Sequence, residues 1–226
     1  MFETRRDAGR LLAARLASRL AAWRVTDPIV LGLARGGAVV AAETARLLGV
    51  PLDMIVVQGL RSPADASRGI GTLVMGSHPE VALDEPAIVA LGVSADAVCE
   101  EVERQARTGR LREALLRGGE RSSPLRGRSV VLVDDGIATG ATMAAAVRAV
   151  RRAAPRHVLV AAPVASPEAL WRLDSLVDGV VCLQVPRCFS TVGAYYGDFG
   201  DVSDGEAIAL LAAARLRSSH ALAAVR

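Results

Sequence analysis

Residues 28–60 carry the pattern that most constrains the fold of this chain. An apolar run, Pro28–Leu33, leads through a turn at Ala34–Gly37 into the Ala-rich segment Ala38–Leu48 and then a second apolar run, Pro51–Leu60. Apolar runs without polar alternation are typical of strands buried on both faces, and the Ala-rich segment has the length of a helix. Two strands joined through a helix are parallel, with a right-handed crossover. The segment therefore predicts a parallel sheet covered by helices.

The rest of the chain continues this alternation. Further strands are predicted at Ser129–Asp135, His157–Val164 and Val180–Val185, and helices at Thr4–Trp23, Ser94–Arg117, Ala141–Ala153, from Ser166 onward, and at Ser203–Arg217. The small and polar residues of Ser62–Gly71 predict a mobile loop, and the apolar pieces Ile70–Met75 and Val81–Leu83 suggest a hairpin. The fold class is α/β, a doubly wound parallel sheet.

Charge and aromatic content argue against a nucleic-acid surface. The chain contains no lysine, and its 27 arginines are interleaved with 24 acidic residues, for a formal net charge of +3. Aromatic residues make up only 3% of the sequence, so stacking platforms are scarce. We therefore expect small-molecule ligands rather than nucleic acid.

Cysteine usage and hydropathy suggest a cytoplasmic protein without a membrane role. Cys99, Cys182 and Cys188 are odd in number and lack CxxC spacing, which argues against a disulfide framework or a zinc site. The Arg- and Ala-rich start at residues 1–24 has acidic residues and no apolar core of a signal peptide. No run reaches the roughly 20 apolar residues that span a bilayer.

The segment Val130–Thr142 carries the clearest chemical signal. Its apolar strand ends in Asp134 and Asp135, and a loop of small and hydroxyl residues then runs directly into a helix. Successive backbone N–H groups in such a loop, together with a helix N-terminus, form a cradle for an anion. Two carboxylates beside the cradle would repel a bare phosphate, so they are expected to face ribose hydroxyls or a Mg²⁺ ion. Ligands bind at this end of the strands in open α/β sheets.

This segment resembles the phosphoribosyl pyrophosphate (PRPP) motif of type I phosphoribosyltransferases. The resemblance implies that Asp134 and Asp135 contact the ribose hydroxyls and that the loop holds the 5-phosphate; the loop consists of Gly136, Ile137, Ala138, Thr139, Gly140, Ala141 and Thr142. It also implies Mg²⁺ as a cofactor. The ion would be coordinated by substrate oxygens and bound only indirectly by the two acids. The implied reaction is transfer of ribose 5-phosphate from PRPP to a nitrogenous acceptor, with release of pyrophosphate.

A second element of the family lies about a hundred residues earlier. Ala34, Arg35, Gly36 and Gly37 resemble the family's pyrophosphate loop, in which Arg35 would stabilise the leaving group beside exposed backbone amides. The mobile loop would close over the site, with Arg61 and Arg68 as candidate cations. With Asp134 and Asp135, Arg35 completes the predicted catalytic set.

The order of motifs along the whole chain, from RRDAGR to YYGDF, is similar to a bacterial subgroup of predicted phosphoribosyltransferases with undefined acceptors. It implies a single domain over 1–226, with a core at about 25–185, an insert at 61–120, and a hood at about 186–204 plus terminal helices. In the hood, Phe189, Tyr195, Tyr196 or Phe199 would stack on the acceptor. Members of the family often form homodimers, which we retain as an expectation.

Two departures from the family pattern keep a second hypothesis open. Ala138 stands where the 6-oxopurine enzymes place an acidic residue, and Gln58-Gly59 replaces an Arg-Lys pair that is common in the subgroup. The alternative is a catalytically weak or inactive PRPP- or nucleotide-binding regulatory protein on the same fold. The identity of the acceptor is not encoded in any of these motifs.

Overall fold

A seven-stranded sheet organises the structure, a computed structural model that describes the backbone of residues 1–223 and the side chains of residues 1–217. The strands are β1 (Pro28–Ala34), β2 (Leu52–Arg61), β3 (Gly69–Val74), β4 (Glu80–Leu83), β5 (Ser129–Val133), β6 (His157–Val164) and β7 (Gly179–Gln184), in the spatial order β4-β3-β2-β1-β5-β6-β7. Strands β2, β1, β5, β6 and β7 are mutually parallel. The predicted α/β fold class is therefore confirmed.

Helices cover both faces of this sheet, as a doubly wound fold requires. They are α1 (Arg5–Ala22), α2 (Gly36–Leu48), α3 (Glu85–Ala90), α4 (Ala95–Arg117), α5 (Ala141–Arg151), α6 (Pro167–Asp174) and α7 (Asp204–Ala223). Buried aliphatic residues of α1, α2, α4 and α7 form a core with one face, and those of α5 and α6 form a second core with the other. With few aromatics, both cores are built from Ala, Val, Leu, Ile and Met.

The antiparallel strands β3 and β4 extend the sheet beyond β2, so the predicted hairpin is joined to the main sheet. The expected loop Ser62–Gly71 is shorter than predicted, because Gly69 and Gly71 pair with β2 as part of β3. Gly71 has a φ of 156°, and a Cβ there would collide with the carbonyl oxygen of Ala82. The glycine at this position thus permits close strand pairing, where composition alone suggested a loop.

Two helix boundaries also differ from the sequence prediction. Helix α2 begins at Gly36 rather than Ala38, so the two glycines belong to its first turn. Helix α3 was not predicted; Asp84 caps it by accepting from the Ala87 amide, and Pro86 stands in its first turn. Six residues are too few to display a helical period in a sequence.

The N-terminal residues pack against the segment that follows β7. Phe2 forms a β-bridge with Tyr196, and its ring packs against the Tyr196 ring with centroids 5.4 Å apart. A 3-10 turn at Val192–Tyr195 and the buried side chains of this region make a small third core. The hood therefore includes the N-terminal segment.

Among the described residues, no helix has the length and apolar character needed to span a membrane.

Candidate functional site

Asp134 and Asp135 follow β5 directly and lie against the first turn of α2. A Cβ on Gly37 would lie 2.7 Å from Oδ1 of Asp134, and a Cβ on Gly36 would collide with the Asp135 carboxylate. Contacts this short are sterically excluded, so only glycine allows α2 to start beside the two acids. The two motifs predicted separately from the sequence thus meet at one edge of the sheet. The Ala34–Arg35 peptide bond between β1 and α2 is cis.

Asp135 is held by the N-terminal segment and the hood. Nε of Arg5 donates to Oδ2 of Asp135 at 2.7 Å, in an ion pair whose side chains are 11% and 13% exposed. The hydroxyl of Tyr196 donates to the Asp135 carbonyl oxygen at 2.5 Å. Burial raises the pKa of the Asp135 carboxyl group, and the Arg5 guanidinium opposes that rise. This acid therefore already has a cation partner.

Arg5 is itself fixed by two further contacts. Its Nη1 donates to the Gly200 carbonyl oxygen at 2.7 Å, and its guanidinium lies 3.8 Å from the centroid of the Phe199 ring. A guanidinium so close to an aromatic face is attracted by the ring quadrupole. These contacts tie the hood to the acidic edge of the sheet.

Asp134 has no cation partner among the described side chains. Its Oδ1 accepts from the Asp135 amide at 2.9 Å, and within the described part of the chain its other oxygen accepts no hydrogen bond. Loss of solvent around the carboxyl group, with the neighbouring Asp135 carboxylate as the second cause, raises the pKa of Asp134 well above its usual value of 3.8. A largely desolvated carboxylate without a cation is suited to a ligand that brings hydroxyl donors or a cation.

The loop after the two acids presents unpaired backbone amides. In the described part of the chain, the N–H groups of Ala138, Thr139 and Gly140 donate to no protein group. Gly140 adopts a left-handed conformation with a φ of 76° and caps the N-terminus of α5. Three consecutive free amides ahead of a helix form a site for an anion.

The adjacent strand β6 holds this loop in place. The Ile137 amide donates to the Val164 carbonyl at 2.9 Å, and the Ser166 amide donates to the Ile137 carbonyl at 2.9 Å. The Ser166 hydroxyl donates to the Ala138 carbonyl oxygen and accepts from the Ala169 amide at 2.9 Å. Ser166 therefore caps α6 and fixes the anion loop with the same oxygen atom.

The hydroxyl residues of the predicted loop differ in their surroundings. Thr139 is exposed, and its Oγ1 accepts a long bond of 3.4 Å from the Ala141 amide. Oγ1 of Thr142 lies 3.3 Å from Oγ1 of Thr72 on β3. Thr139 is thus freer to meet a ligand, whereas Thr142 connects the start of α5 to the antiparallel extension of the sheet.

A cleft of about 670 Å³ opens beside Asp135. Ala34, Arg35 and Gly36 line it together with Asp135, Phe199 and residues of β2, α4 and α7. Of the two candidate loop cations, Arg61 lines the cleft and Arg68 does not. The cleft has the size of a small-molecule site, roughly 300–1,000 Å³.

Two of the hood aromatics expected to stack on an acceptor, Phe189 and Tyr195, contact each other. The rings of Phe189 and Tyr195 are stacked with centroids 5.5 Å apart, and the Tyr195 hydroxyl donates to the Cys188 carbonyl at 3.3 Å. Neither ring is part of the cleft wall, whereas Phe199 is. Phe199 is therefore the one of these three rings that could contact an acceptor in the cleft, although the Arg5 guanidinium already covers one face of that ring.

Three residues of the site were not predicted: Arg5, Tyr196 in its bond to Asp135, and Ser166 as support of the anion loop. Two adjacent acids at the end of a buried strand do imply that a cation must lie nearby. With 27 arginines in the chain, however, the sequence does not indicate which one. Arg5 belongs to the RRDAGR motif, to which no role could be assigned from the sequence.

The donor set fits a metal ion that is held mainly by substrate oxygens. No group of three or more His, Cys, Asp or Glu side chains that could enclose an ion occurs among the residues that the structure describes. Mg²⁺ commonly uses one or two carboxylates together with phosphate oxygens and water. Asp134 and Asp135 can supply that share.

Comparison with known proteins gives consistent matches. The sequence profile of the family described as "Phosphoribosyl transferase domain" matches residues 8–196. Two curated proteins, from Mycobacterium tuberculosis strains CDC 1551 and H37Rv, are each 37% identical over 211 residues and are named "Putative phosphoribosyl transferase". The match covers 93% of this chain but 46% of each relative, so the chain spans about half their length.

A solved structure shares the fold of this chain. The crystal structure of TT1426 from Thermus thermophilus is 43% identical, covers 93% of this chain and 97% of its own, and superposes with a TM-score of 0.73. Both the profile and the relatives cover the acidic edge, the anion loop and the glycine-started helix α2. The chain belongs to the phosphoribosyl transferase domain family.

Proposed function

We propose that the protein transfers ribose 5-phosphate from PRPP to a nitrogenous acceptor and releases pyrophosphate. The observation that supports this most is that the acidic pair adjoins two candidate anion sites. The free amides of the loop follow Asp135 in the chain, and Asp135 also lines the cleft together with Arg35. A ribose with a phosphate at one end and a diphosphate at the other would use both sites.

The 5-phosphate is assigned to the loop Gly136–Thr142. The free amides of Ala138, Thr139 and Gly140 donate to its oxygens, and the Thr139 hydroxyl adds a further donor. Asp134, which has no cation partner among the described residues, accepts from a ribose hydroxyl. Asp135 keeps its bond to Arg5, so its free oxygen serves the same sugar. This arrangement orients C1 of the ribose toward the cleft.

The leaving diphosphate is assigned to the segment Ala34–Gly37 and its surroundings. Arg35 is exposed and pairs with no acid among the described residues, so its guanidinium is available for a bidentate contact. Bond breaking between C1 and the diphosphate oxygen places positive charge on the ribose and negative charge on the leaving group. The adjacent carboxylates favour the first and Arg35 the second. Asp134 and Asp135 would hold a Mg²⁺ ion together with substrate oxygens, and that ion would supply further neutralisation of phosphate charge.

The segment 62–68 between β2 and β3 is proposed as the cover of the site. Its own contacts are local: Asp65 accepts from the amide and the hydroxyl of Ser67, at 2.9 Å and 2.6 Å. Closure over the cleft would exclude water, which otherwise hydrolyses the donor.

The three cysteines are free, which fits a reducing compartment such as the cytoplasm.

Turnover with a panel of acceptors tests the proposal. The protein is incubated with PRPP, Mg²⁺ and individual nucleobases or related amines, and released pyrophosphate is measured. We expect acceptor-dependent release that is lost in Asp134→Asn. Tight PRPP binding without release for any acceptor would instead favour the regulatory alternative, for which Ala138 and the Gln58-Gly59 pair are the motivating observations.

A further inference from the structure

The hood segment Phe199–Val202 separates two cavities. One is the cleft, and the other is a cavity of about 270 Å³ between the hood and the first turns of α1, α2 and α7. Arg5, Asp201 and Val202 line both of them. A wall with open space on two sides is less constrained by close packing than a segment of the core. Its directed contacts therefore have a large share in setting its position.

Arg5 supplies three of these directed contacts. Its Nε donates to Oδ2 of Asp135 and its Nη1 to the Gly200 carbonyl oxygen, both at 2.7 Å, and the guanidinium lies 3.8 Å from the centroid of the Phe199 ring. These contacts use two edges and one face of a single planar group. Because that group is rigid, a shift that breaks one contact disturbs the others. The Arg5 side chain is only 11% exposed, so water has little access to replace a lost partner.

A stack of aromatic rings extends from Arg5 to the start of the chain. The Phe199 and Tyr196 ring centroids are 5.0 Å apart, and those of Tyr196 and Phe2 are 5.4 Å apart. The Tyr196 hydroxyl also donates to the Asp135 carbonyl oxygen. Asp135 is thus connected to the hood through its side chain by Arg5 and through its backbone by Tyr196.

Two backbone hydrogen bonds report on the position of the hood. The Gly197 amide donates to the Phe2 carbonyl and the Asp198 amide to the Glu3 carbonyl, both at 2.8 Å. Exchange of these amide protons with solvent requires the bonds to open. Their exchange rates therefore measure how often the hood leaves the N-terminal segment.

Asp135 can bind Arg5 and a ligand at the same time. Arg5 contacts Oδ2, which leaves Oδ1 as an acceptor for a ligand, and Asp135 lines the cleft. A carboxylate that one partner has already oriented loses less freedom when it binds a second partner, so the two contacts should strengthen each other. Asp134 is not bonded to Arg5, although it is the next residue in the chain.

We propose that Arg5 is a positioning residue that makes the position of the hood segment Phe199–Val202 depend on the Asp135 carboxylate, and hence on the sugar phosphate bound there. A ligand at Asp135 steadies Arg5, and Arg5 steadies the wall on which an acceptor would lie. This role differs from neutralising a buried charge. Only the identity of the ligand rests on the proposed function, because the link between Asp135 and the hood is present in the ligand-free protein.

Hydrogen exchange of the hood, followed by mass spectrometry, tests the link without a ligand. Asp135→Asn removes the charge that Arg5 contacts, and Asp134→Asn removes an equal charge from the neighbouring residue. A charge-assisted hydrogen bond is about twice as strong as a neutral one, so the Gly197 and Asp198 amides should exchange roughly fivefold faster or more in Asp135→Asn. In Asp134→Asn they should exchange no faster than in wild type. Equal hood exchange in the two variants would overturn the proposal.

A comparison of Arg5→Lys with Arg5→Gln separates positioning from charge compensation. A lysine ammonium can pair with Asp135, but it lacks the planar group that also reaches Gly200 and covers the Phe199 ring. We expect Arg5→Lys to recover most of the stability that Arg5→Gln loses in urea unfolding. Its hood amides should still exchange roughly fivefold faster than in wild type, while the amides of β6 stay protected. Recovery of both properties in Arg5→Lys would reduce Arg5 to a counter-charge.

Ribose 5-phosphate tests the ligand end of the link. With each protein saturated, as judged by its own calorimetric titration, the ligand should slow hood exchange several-fold in wild type and much less in Arg5→Lys. Equal slowing in both proteins would show that Arg5 does not transmit ligand binding to the hood. If ribose 5-phosphate gives no heat with wild type, the proposed function fails, and the ligand-free comparisons still decide whether Arg5 positions the hood.

Discussion

At the scale of single residues, the two acids have opposite surroundings. Asp135 is bound to Arg5, whereas Asp134 is packed against glycine and the neighbouring carboxylate, with no cation among the described side chains. Desolvating an unpaired carboxylate costs free energy of folding, and functional sites commonly tolerate such costs. The ligand-free protein is therefore expected to be less stable than it would be with a neutral residue at 134.

The substitution Asp134→Asn should stabilise the ligand-free protein at neutral pH. The raised pKa of Asp134 means that its ionised form penalises folding above that pKa, and that the penalty disappears as the pH falls toward 3.8. A gain on the order of 1 kcal/mol is expected, the scale on which one desolvated and unpaired polar group destabilises a fold. Urea unfolding from about pH 8 to about pH 4 measures it. A gain that did not shrink toward acid pH would contradict this account.

Removal of the partner of Asp135 should have the opposite effect. Arg5→Gln leaves the Asp135 carboxylate buried without a cation, and we expect a loss of about 3 kcal/mol in the free energy of unfolding near neutral pH. The loss should diminish as the pH falls, because a protonated Asp135 needs no cation. Arg6→Gln, on an exposed side chain of the same helix turn, is the control. Equal stabilities of the two variants would show that the ion pair contributes nothing.

Sequence reasoning located the acids but not their partners. Asp134 and Asp135 were predicted because an apolar strand ending in two acids and a small-residue loop is a local pattern. Arg5 lies 130 residues away from Asp135, and its contact depends on how α1 and the hood pack together. The bond between Arg112 and Gln58 likewise exists only because α4 packs against β2.

At the scale of elements, glycines account for most differences between prediction and structure. Gly36 and Gly69 were predicted in turns or loops, yet they start α2 and β3. Sequence alone does not distinguish a glycine that breaks an element from one that permits close approach. The position that a Cβ would occupy decides this. At Gly37 that Cβ would lie 2.7 Å from Oδ1 of Asp134. Helices with capping residues, such as α4 after Ser94 and α7 after Ser203, were predicted to within one residue at their starts.

The dual role of Ser166 can be separated from simple helix capping. Ser166→Ala removes the α6 cap and the bond to the Ala138 carbonyl, whereas Ser94→Ala removes only the cap of α4. Each variant should lose about 1 kcal/mol of stability. Only Ser166→Ala should also weaken ribose 5-phosphate binding, by several-fold, because the anion loop loses its support. Urea unfolding and calorimetry measure the two effects, and equal ribose 5-phosphate affinities would remove Ser166 from the site.

At the scale of the whole molecule, the parallel core followed from the alternation of apolar runs and Ala-rich helices. The sequence did not predict how the remaining parts surround the cleft: β3 and β4 extend the sheet past β2, and α4 and α7 contribute to the cleft wall. The N-terminal segment joins the hood through the Phe2–Tyr196 bridge. These arrangements depend on contacts between segments far apart in the chain, which local patterns do not encode.

The central claim is that the acidic edge and the anion loop bind a sugar phosphate. Calorimetry with PRPP and Mg²⁺ on the wild type and Asp134→Asn tests it most directly, because this substitution is expected to stabilise the fold and a loss of binding could not be ascribed to unfolding. We predict a wild-type dissociation constant between roughly 1 µM and 1 mM, a range typical of enzyme substrates, and no measurable binding in the variant. Equal PRPP affinity in both proteins, or no heat in the wild type with PRPP or ribose 5-phosphate, would contradict the account.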